Sequence, residues 1–169
     1  MRYLKERIQI EKSDIVVLRE TKVAQERLKD IASRSWPLTE CMALDARDSV
    51  GGLGILWDPR SIAFGQWISN PHSVSGQFEC IRSSEKVWLT GVYNPTLPGM
   101  KASFLLSLRY IKELLGETNW IVVGGFNLIK DLSEKKEGIG QFNPISLAFL
   151  ETIQDLGTED LDFKNGAFT

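Results

Sequence analysis

Residues 14–22, DIVVLRETK, place a continuous apolar run just before a glutamate. The run from Asp14 to Leu18 has polar residues on both sides, a pattern typical of a short strand that is covered on both faces. Glu20 follows where this strand is predicted to end. Because functional side chains collect at strand ends in α/β proteins, the stretch predicts a buried strand and a candidate site residue together.

Four segments on either side of this strand carry apolar residues at helical spacing. They are residues 3–11, 23–33, 101–115 and 144–156. The third is closed by Gly116, a residue favoured just after a helix ends. In the fourth, Leu147, Leu150 and Ile153 fall on one side of the helix.

Short β-prone runs, separated by Gly, Pro, Asn, Asp or Ser, fill the middle of the chain. They cover residues 40–44, 53–57, 62–68, 74–81 and 87–93, and a further apolar run covers residues 120–123. This spacing predicts a meander of antiparallel strands. Helices interleaved with such strands favour a layered α/β sandwich, here as one unit over residues 1–169.

Composition excludes several classes of protein. The 169 residues are 43% hydrophobic, enough for a sizeable core, and the net charge of -2 argues against attachment to nucleic acid by bulk charge alone. Two cysteines, Cys41 and Cys80, are too few for a disulfide scaffold and lack zinc-site spacing. The charged N-terminus and the short apolar runs predict no signal peptide and no membrane span, so we expect an intracellular protein, nuclear or cytoplasmic.

Four strings lie where a strand is predicted to meet a loop: DIVVLRETK, SVGGLGILWDP (residues 49–59), LTGVYNP and WIVVGGFN. In this order they resemble the endonuclease/exonuclease/phosphatase superfamily, the fold of deoxyribonuclease I and the abasic-site endonucleases. The nearest likeness is the endonuclease domain of plant LINE-type retrotransposons, in which DILFLQETK, GGLAILW, VYGP and WLVGGDFN recur. The segments SEKKEG (residues 133–138) and LDFKNGAFT (residues 161–169) resemble two later family strings, so the likeness covers essentially the whole chain.

The resemblance implies a metal-dependent phosphodiesterase that hydrolyses DNA. Glu20 would bind Mg²⁺, Tyr93 would support phosphate binding, and Asn127 would orient the attacking water and bind the phosphate. The family aspartate of GDFN is replaced here by Gly125, which has no acceptor oxygens on a side chain. Asp131, a few residues on, is a weak substitute because it falls in a predicted loop.

The same comparison predicts a domain truncated at both ends. Family members begin with a strand that carries a metal-binding asparagine and end with an aspartate and a histidine, whereas the single histidine here, His72, matches no catalytic position. Mg²⁺ requires several oxygen ligands in near-octahedral geometry, so Glu20 alone should bind it weakly. We therefore expect an incomplete deoxyribonuclease I-like sandwich with little or no turnover.

Each candidate residue also has a purely structural interpretation. Glu20 is a loop carboxylate, Tyr93 packs its ring in the core, and Asn127 tolerates a left-handed turn. The glycines of GGLG suit a hairpin or bulge better than a phosphate loop, since no lysine and helix follow. At the level of function, a non-catalytic nucleic-acid-binding module and a vestigial domain that does not fold alone remain alternatives, and the sequence leaves the oligomeric state open.

Overall fold

The computed structural model describes residues 2–45, 51–94, 98–128 and 144–161. Its elements, in chain order, are α1 (Arg2–Glu11), β1 (Ile15–Arg19), α2 (Gln25–Ser35), β2 (Glu40–Leu44), β3 (Leu53–Trp57), β4 (Ile62–Asn70), β5 (Ser73–Cys80), β6 (Lys86–Tyr93), α3 (Pro98–Leu115), β7 (Trp120–Gly125) and α4 (Pro144–Asp155). They fall into two compact units: residues 1–93 with 117–124, and residues 94–116 with 125–169.

The first sheet has three strands in the order β1, β3, β2, and both pairings are antiparallel. Its central strand, β3, is buried at all five positions. Gly54 pairs with Leu18 on one side and Ala43 on the other. A methyl group at Gly54 would collide with the Leu28 side chain, so the absence of a side chain there lets α2 pack closely on the sheet.

The second sheet has the order β4, β5, β6, β7, and its first three strands form an antiparallel meander. The Trp88 N–H donates to the Asn119 carbonyl at 2.8 Å, and the Asn94 N–H donates to the Gly125 carbonyl at 2.8 Å. Since both strands advance by six residues between these bonds, β7 runs parallel to β6. The sequence predicts one antiparallel meander over residues 40–93, whereas the structure divides its strands between two sheets, with β2 and β3 in the first and β4, β5 and β6 in the second.

An apolar core fills the space between the two sheets. Its buried members are Met42, Leu53, Ile55, Trp57, Ile62, Val74, Phe78, Leu89 and Tyr93. The Trp57 ring stacks on Phe64 with 4.8 Å between centroids and meets Phe78 edge-on at 5.4 Å. Burial of large aromatic and branched side chains on facing sheets is the main source of stability in such a sandwich.

Helices α1 and α2 cover the other face of the three-stranded sheet. Their buried residues, Ile8, Leu28, Ala32 and Trp36, pack with Cys41 and Leu56, and Val16 and Leu18 lie against the same cluster. Ile15 and Val17 lie against the core between the sheets. Strand β1 is thus covered on both faces, as the DIVVL run predicts.

The second unit contains α3 and α4. Helix α3 buries Phe104, Leu105, Leu108 and Ile111, and Gly116, at φ +61°, follows its end as predicted. Phe126 meets Phe104 edge-on at 6.2 Å between centroids and meets Phe149 of α4 at 5.5 Å.

The apolar side of α4 that the spacing predicts is not the side that the structure buries most deeply. Leu147 is 49% exposed, whereas Ser146, Phe149 and Thr152 are buried. Apolar residues occur on every side of this helix, so periodicity alone did not select a face; the ring contact of Phe149 with Phe126 does. The buried Thr152 hydroxyl is satisfied within the helix, because it donates to the Ala148 carbonyl at 2.7 Å.

The sequence prediction of an α/β sandwich built from two sheets with flanking helices is confirmed. Within the described ranges, no helix is long and apolar enough to cross a lipid bilayer.

The turn between β3 and β4 gives a test of the fold. The Asp58 carboxylate accepts hydrogen bonds from the backbone N–H and the Nε of Arg60, each at 2.9 Å. These bonds hold the pKa of Asp58 below its ordinary value. We expect Asp58→Asn to lower the free energy of unfolding by about 1 kcal/mol at neutral pH.

A folded-state pKa below the unfolded value stabilises the protein above the unfolded pKa, about 4, and this stabilisation is lost as pH falls through the folded pKa. Urea unfolding at several pH values should show the difference between wild type and variant shrinking below about pH 4. A pH-independent difference would contradict the assignment, and Asp14→Asn, at an exposed carboxylate outside this turn, serves as the control.

Candidate functional site

Glu20 lies one residue beyond β1, in a strained turn. Its φ is +54° and that of Lys22 is +53°, a left-handed region that non-glycine residues seldom adopt. The Lys22 N–H donates to the Gly51 carbonyl at 2.8 Å, and the Thr21 N–H donates to the Gly52 carbonyl at 3.4 Å. The turn is therefore stabilised by backbone hydrogen bonds to the residues that directly precede β3. Strain of this kind collects at functional sites.

The glycines before β3 allow this close approach. A Cβ on Gly51 would lie 2.9 Å from Glu20 Cγ and 3.0 Å from Glu20 Cα, and Gly52 has a φ of +77°. Because β2 and β3 pair antiparallel, the GGLG segment serves a hairpin, as predicted. It also fixes the backbone of Glu20, a role that the sequence did not reveal.

A magnesium ion needs more ligands than this turn provides. The Glu20 side chain is exposed, and among the residues that the structure describes no three His, Cys, Asp or Glu side chains cluster closely enough to hold a metal ion. Mg²⁺ binds through carboxylates, carbonyls and several waters at about 2.1 Å in octahedral geometry. The described donor set therefore does not fit a resident Mg²⁺ site.

Tyr93 ends β6 with its ring inside the core between the sheets, where it is 9% exposed. Its N–H donates to the His72 carbonyl at 2.9 Å. His72 lies in the turn between β4 and β5, and the Asn70 side chain accepts its N–H at 2.8 Å. Burial lowers the pKa of His72. Tyr93 thus adopts the position that the structural interpretation predicts, and its role toward phosphate remains a prediction.

In the second unit, Asn94 forms hydrogen bonds with three consecutive residues, the last of β7 and the next two. Its N–H donates to the Gly125 carbonyl at 2.8 Å, and its Nδ2 donates to the Phe126 carbonyl at 2.7 Å. Its own carbonyl accepts a hydrogen bond from Asn127 Nδ2. Asn94 is completely buried, and its Oδ1 has no hydrogen-bond partner in the described part of the chain.

Asn127 has a φ of +47°, the left-handed conformation that its structural interpretation predicts. Its side chain is exposed. Its carbonyl accepts a hydrogen bond from Lys101 Nζ at 3.2 Å. Gly125 is buried, and its backbone carbonyl accepts the hydrogen bond from the Asn94 N–H.

Sequence reasoning missed Asn94 and Lys101. The sequence signal for Asn94 is its position: it is a turn-forming residue at a strand end, directly before a proline. The sequence signal for Lys101 is its positive charge in the first turn of a helix, where the helix dipole disfavours cations.

Several predicted elements lie outside the described residues. They are Ser49 and Val50 of the glycine segment, Pro95, Asp131, the segment SEKKEG (residues 133–138) and residues 162–169 of the C-terminal string. Of the residues predicted to act in the site, Glu20 and Tyr93 belong to the first unit and Asn127 to the second.

Comparison of the sequence with protein-family models gives no match, and comparison with curated proteins gives none either. Solved structures do match. An AP endonuclease from Leishmania major has a TM-score of 0.68 at 15% identity, over 90% of this chain and 60% of that one. An endonuclease/exonuclease/phosphatase from Bacteroides vulgatus has a TM-score of 0.60 at 19% identity, over 90% of this chain and 61% of that one.

A mannosyl-6-phosphatase from Bacteroides thetaiotaomicron has a TM-score of 0.63 at 15% identity, over 88% of this chain and 60% of that one. The fold is therefore the α/β sandwich of the deoxyribonuclease I-like proteins. The chain spans about three fifths of the length of these structures.

The contact between Gly51 and Glu20 is directly testable. We expect Gly51→Ala to destabilise the protein by about 1 to 3 kcal/mol, because the added methyl group meets backbone as well as side-chain atoms. Urea unfolding measures this change. Gly99→Ala is the matched control, since a Cβ there meets nothing within 4 Å. Equal effects of the two substitutions would show that Gly51 does not hold the Glu20 turn.

Proposed function

We propose that this chain is a degenerate copy of a metal-dependent phosphodiesterase domain, an endonuclease domain related to those of plant LINE-type retrotransposons. Residues 1–169 would form one partial domain of that kind. The reaction by descent is hydrolysis of a DNA phosphodiester by a metal-activated water. In this proposal Glu20 is the remaining metal ligand, Tyr93 supports phosphate binding, and Asn127 binds the phosphate and orients water.

The observation that carries the proposal is the strained Glu20 turn. A half-buried strand ends directly before a glutamate in a left-handed conformation, and the next two residues, Thr21 and Lys22, donate their N–H groups to the Gly52 and Gly51 carbonyls. Left-handed conformations of non-glycine residues cost free energy and cluster at functional sites. The deoxyribonuclease I-like fold supports the same interpretation, since its likeness extends over most of the chain.

We attribute the expected loss of turnover to missing side-chain oxygens, which would bind Mg²⁺ or fix a water. Gly125 provides only backbone at the aspartate position, so no side chain there can fix or deprotonate a water. Among the described residues, no three His, Cys, Asp or Glu side chains cluster around Glu20, which leaves Mg²⁺ too few protein oxygens to displace its hydration. We infer that the chain retains the scaffold of the reaction without its chemistry.

Nicking of supercoiled plasmid in the presence of Mg²⁺ tests this conclusion. We expect the purified chain to leave the plasmid intact, and Glu20→Ala to leave the result unchanged. Nicking that is abolished by Glu20→Ala, but not by substitution of the exposed Glu113 with alanine, would prove the inactivity proposal wrong.

Gly125→Asp adds a second arm to this experiment. We expect it not to restore nicking, because one added carboxylate does not complete a Mg²⁺ site when the described residues hold no cluster of three His, Cys, Asp or Glu side chains. Recovery of Mg²⁺-dependent nicking in Gly125→Asp would show that this one substitution is the whole defect.

A second candidate function is a non-catalytic module that binds DNA. The contact of Lys101 with Asn127 favours it, because it places a cation beside the residue proposed to bind phosphate. The net charge of -2 means that such binding would depend on local contacts.

A further inference from the structure

Lys101 places its ammonium group beside Asn127. Lys101 Nζ donates to the Asn127 carbonyl at 3.2 Å, while the lysine side chain is only partly buried. The ammonium carries three donors, and this contact uses one of them. The charge is thus anchored by one neutral acceptor and keeps donors for a further ligand.

No acidic side chain in the described ranges neutralises this charge. Every ion pair there uses a different cation, and the first turn of α3 contains no acidic residue. Lys101 is the fourth residue of α3, at the end of the helix whose free N–H groups already carry partial positive charge. A cation in this place opposes helix stability and favours an anion nearby.

Asn127 supplies a second donor at the same place. Its Nδ2 uses one hydrogen on the Asn94 carbonyl, and the amide nitrogen carries two. The exposed side chain therefore has a second N–H available, on the same residue whose backbone carbonyl accepts from Lys101. An ammonium and an amide N–H together match the oxygens of a phosphate group.

We propose that Lys101, together with Asn127, binds a backbone phosphate of duplex DNA. This inference rests on the proposed function, in which Asn127 faces the phosphate. Asn94 is the positioning residue, since its bonds to Gly125, Phe126 and Asn127 fix the turn that presents the amide. One phosphate contact of this kind contributes affinity without base specificity.

Binding of a short DNA duplex, measured by fluorescence anisotropy from about 50 to 200 mM salt, tests the proposal. Lys101→Gln should weaken binding about fivefold at the lowest salt and reduce the slope of log K against log salt by about 1. Lys112→Gln is the matched control, because it removes the same charge from the last turn of the same helix. The control should change the slope by clearly less.

Thermal unfolding separates binding from structure. Removing a cation from the start of a helix should leave the melting temperature of Lys101→Gln unchanged or slightly raised. Weaker DNA binding with an unchanged melting temperature supports the proposal. A fall in both would assign Lys101 a structural role and overturn it.

The remaining outcomes are distinct. If Lys101→Gln and Lys112→Gln change DNA affinity and its salt dependence equally, the proposed phosphate contact is wrong. DNA binding itself, the second candidate function, would still stand. No DNA binding by the unmodified chain at low salt would overturn both. Titration with inorganic phosphate, followed through the Asn127 side-chain amide by NMR, distinguishes the source: a response to phosphate without DNA binding rejects the duplex as ligand.

Discussion

The two-sided burial of β3 is the constraint on which the first unit depends. Leu53, Ile55 and Trp57 face the core between the sheets, and Leu56 faces α1 and α2. Each fully buried side chain of this size contributes about 2 kcal/mol. Because β3 is fixed in this way, the glycines just before it are fixed as well. Their carbonyls then hold the Glu20 turn, so core packing and candidate site are linked by two backbone hydrogen bonds.

The turns at Glu20 and at Asn127, one in each unit, are stabilised in the same way. In each, a non-glycine residue at a strand end adopts a left-handed conformation, Glu20 after β1 and Asn127 after β7. In each, a neighbouring segment supplies the bonds that keep it there: Gly51 and Gly52 for Glu20, and Asn94 for Asn127. Gly125, which has no side chain, ends β7 just before the second of these turns.

Much of the fold could be predicted because the local patterns were unambiguous. The DIVVL run identified β1, and turn residues separated the strands of the meander. The buried face of α4 could not be predicted, since apolar residues surround that helix and only the Phe126 ring selects Phe149. Glu20, Tyr93 and Asn127 could be singled out from strings at strand ends. Asn94 and Lys101 could not, because their importance lies in hydrogen bonds across 33 and 26 residues of sequence.

The central claim is that the scaffold persists without a competent metal site. Mn²⁺, a paramagnetic substitute for Mg²⁺, allows a direct measurement: titration of the chain with Mn²⁺ followed by electron paramagnetic resonance. We expect the free Mn²⁺ signal to rise in proportion to added metal at low millimolar concentration, with Glu20→Ala indistinguishable from wild type. Saturable binding of one Mn²⁺ per chain that disappears in Glu20→Ala would contradict the claim.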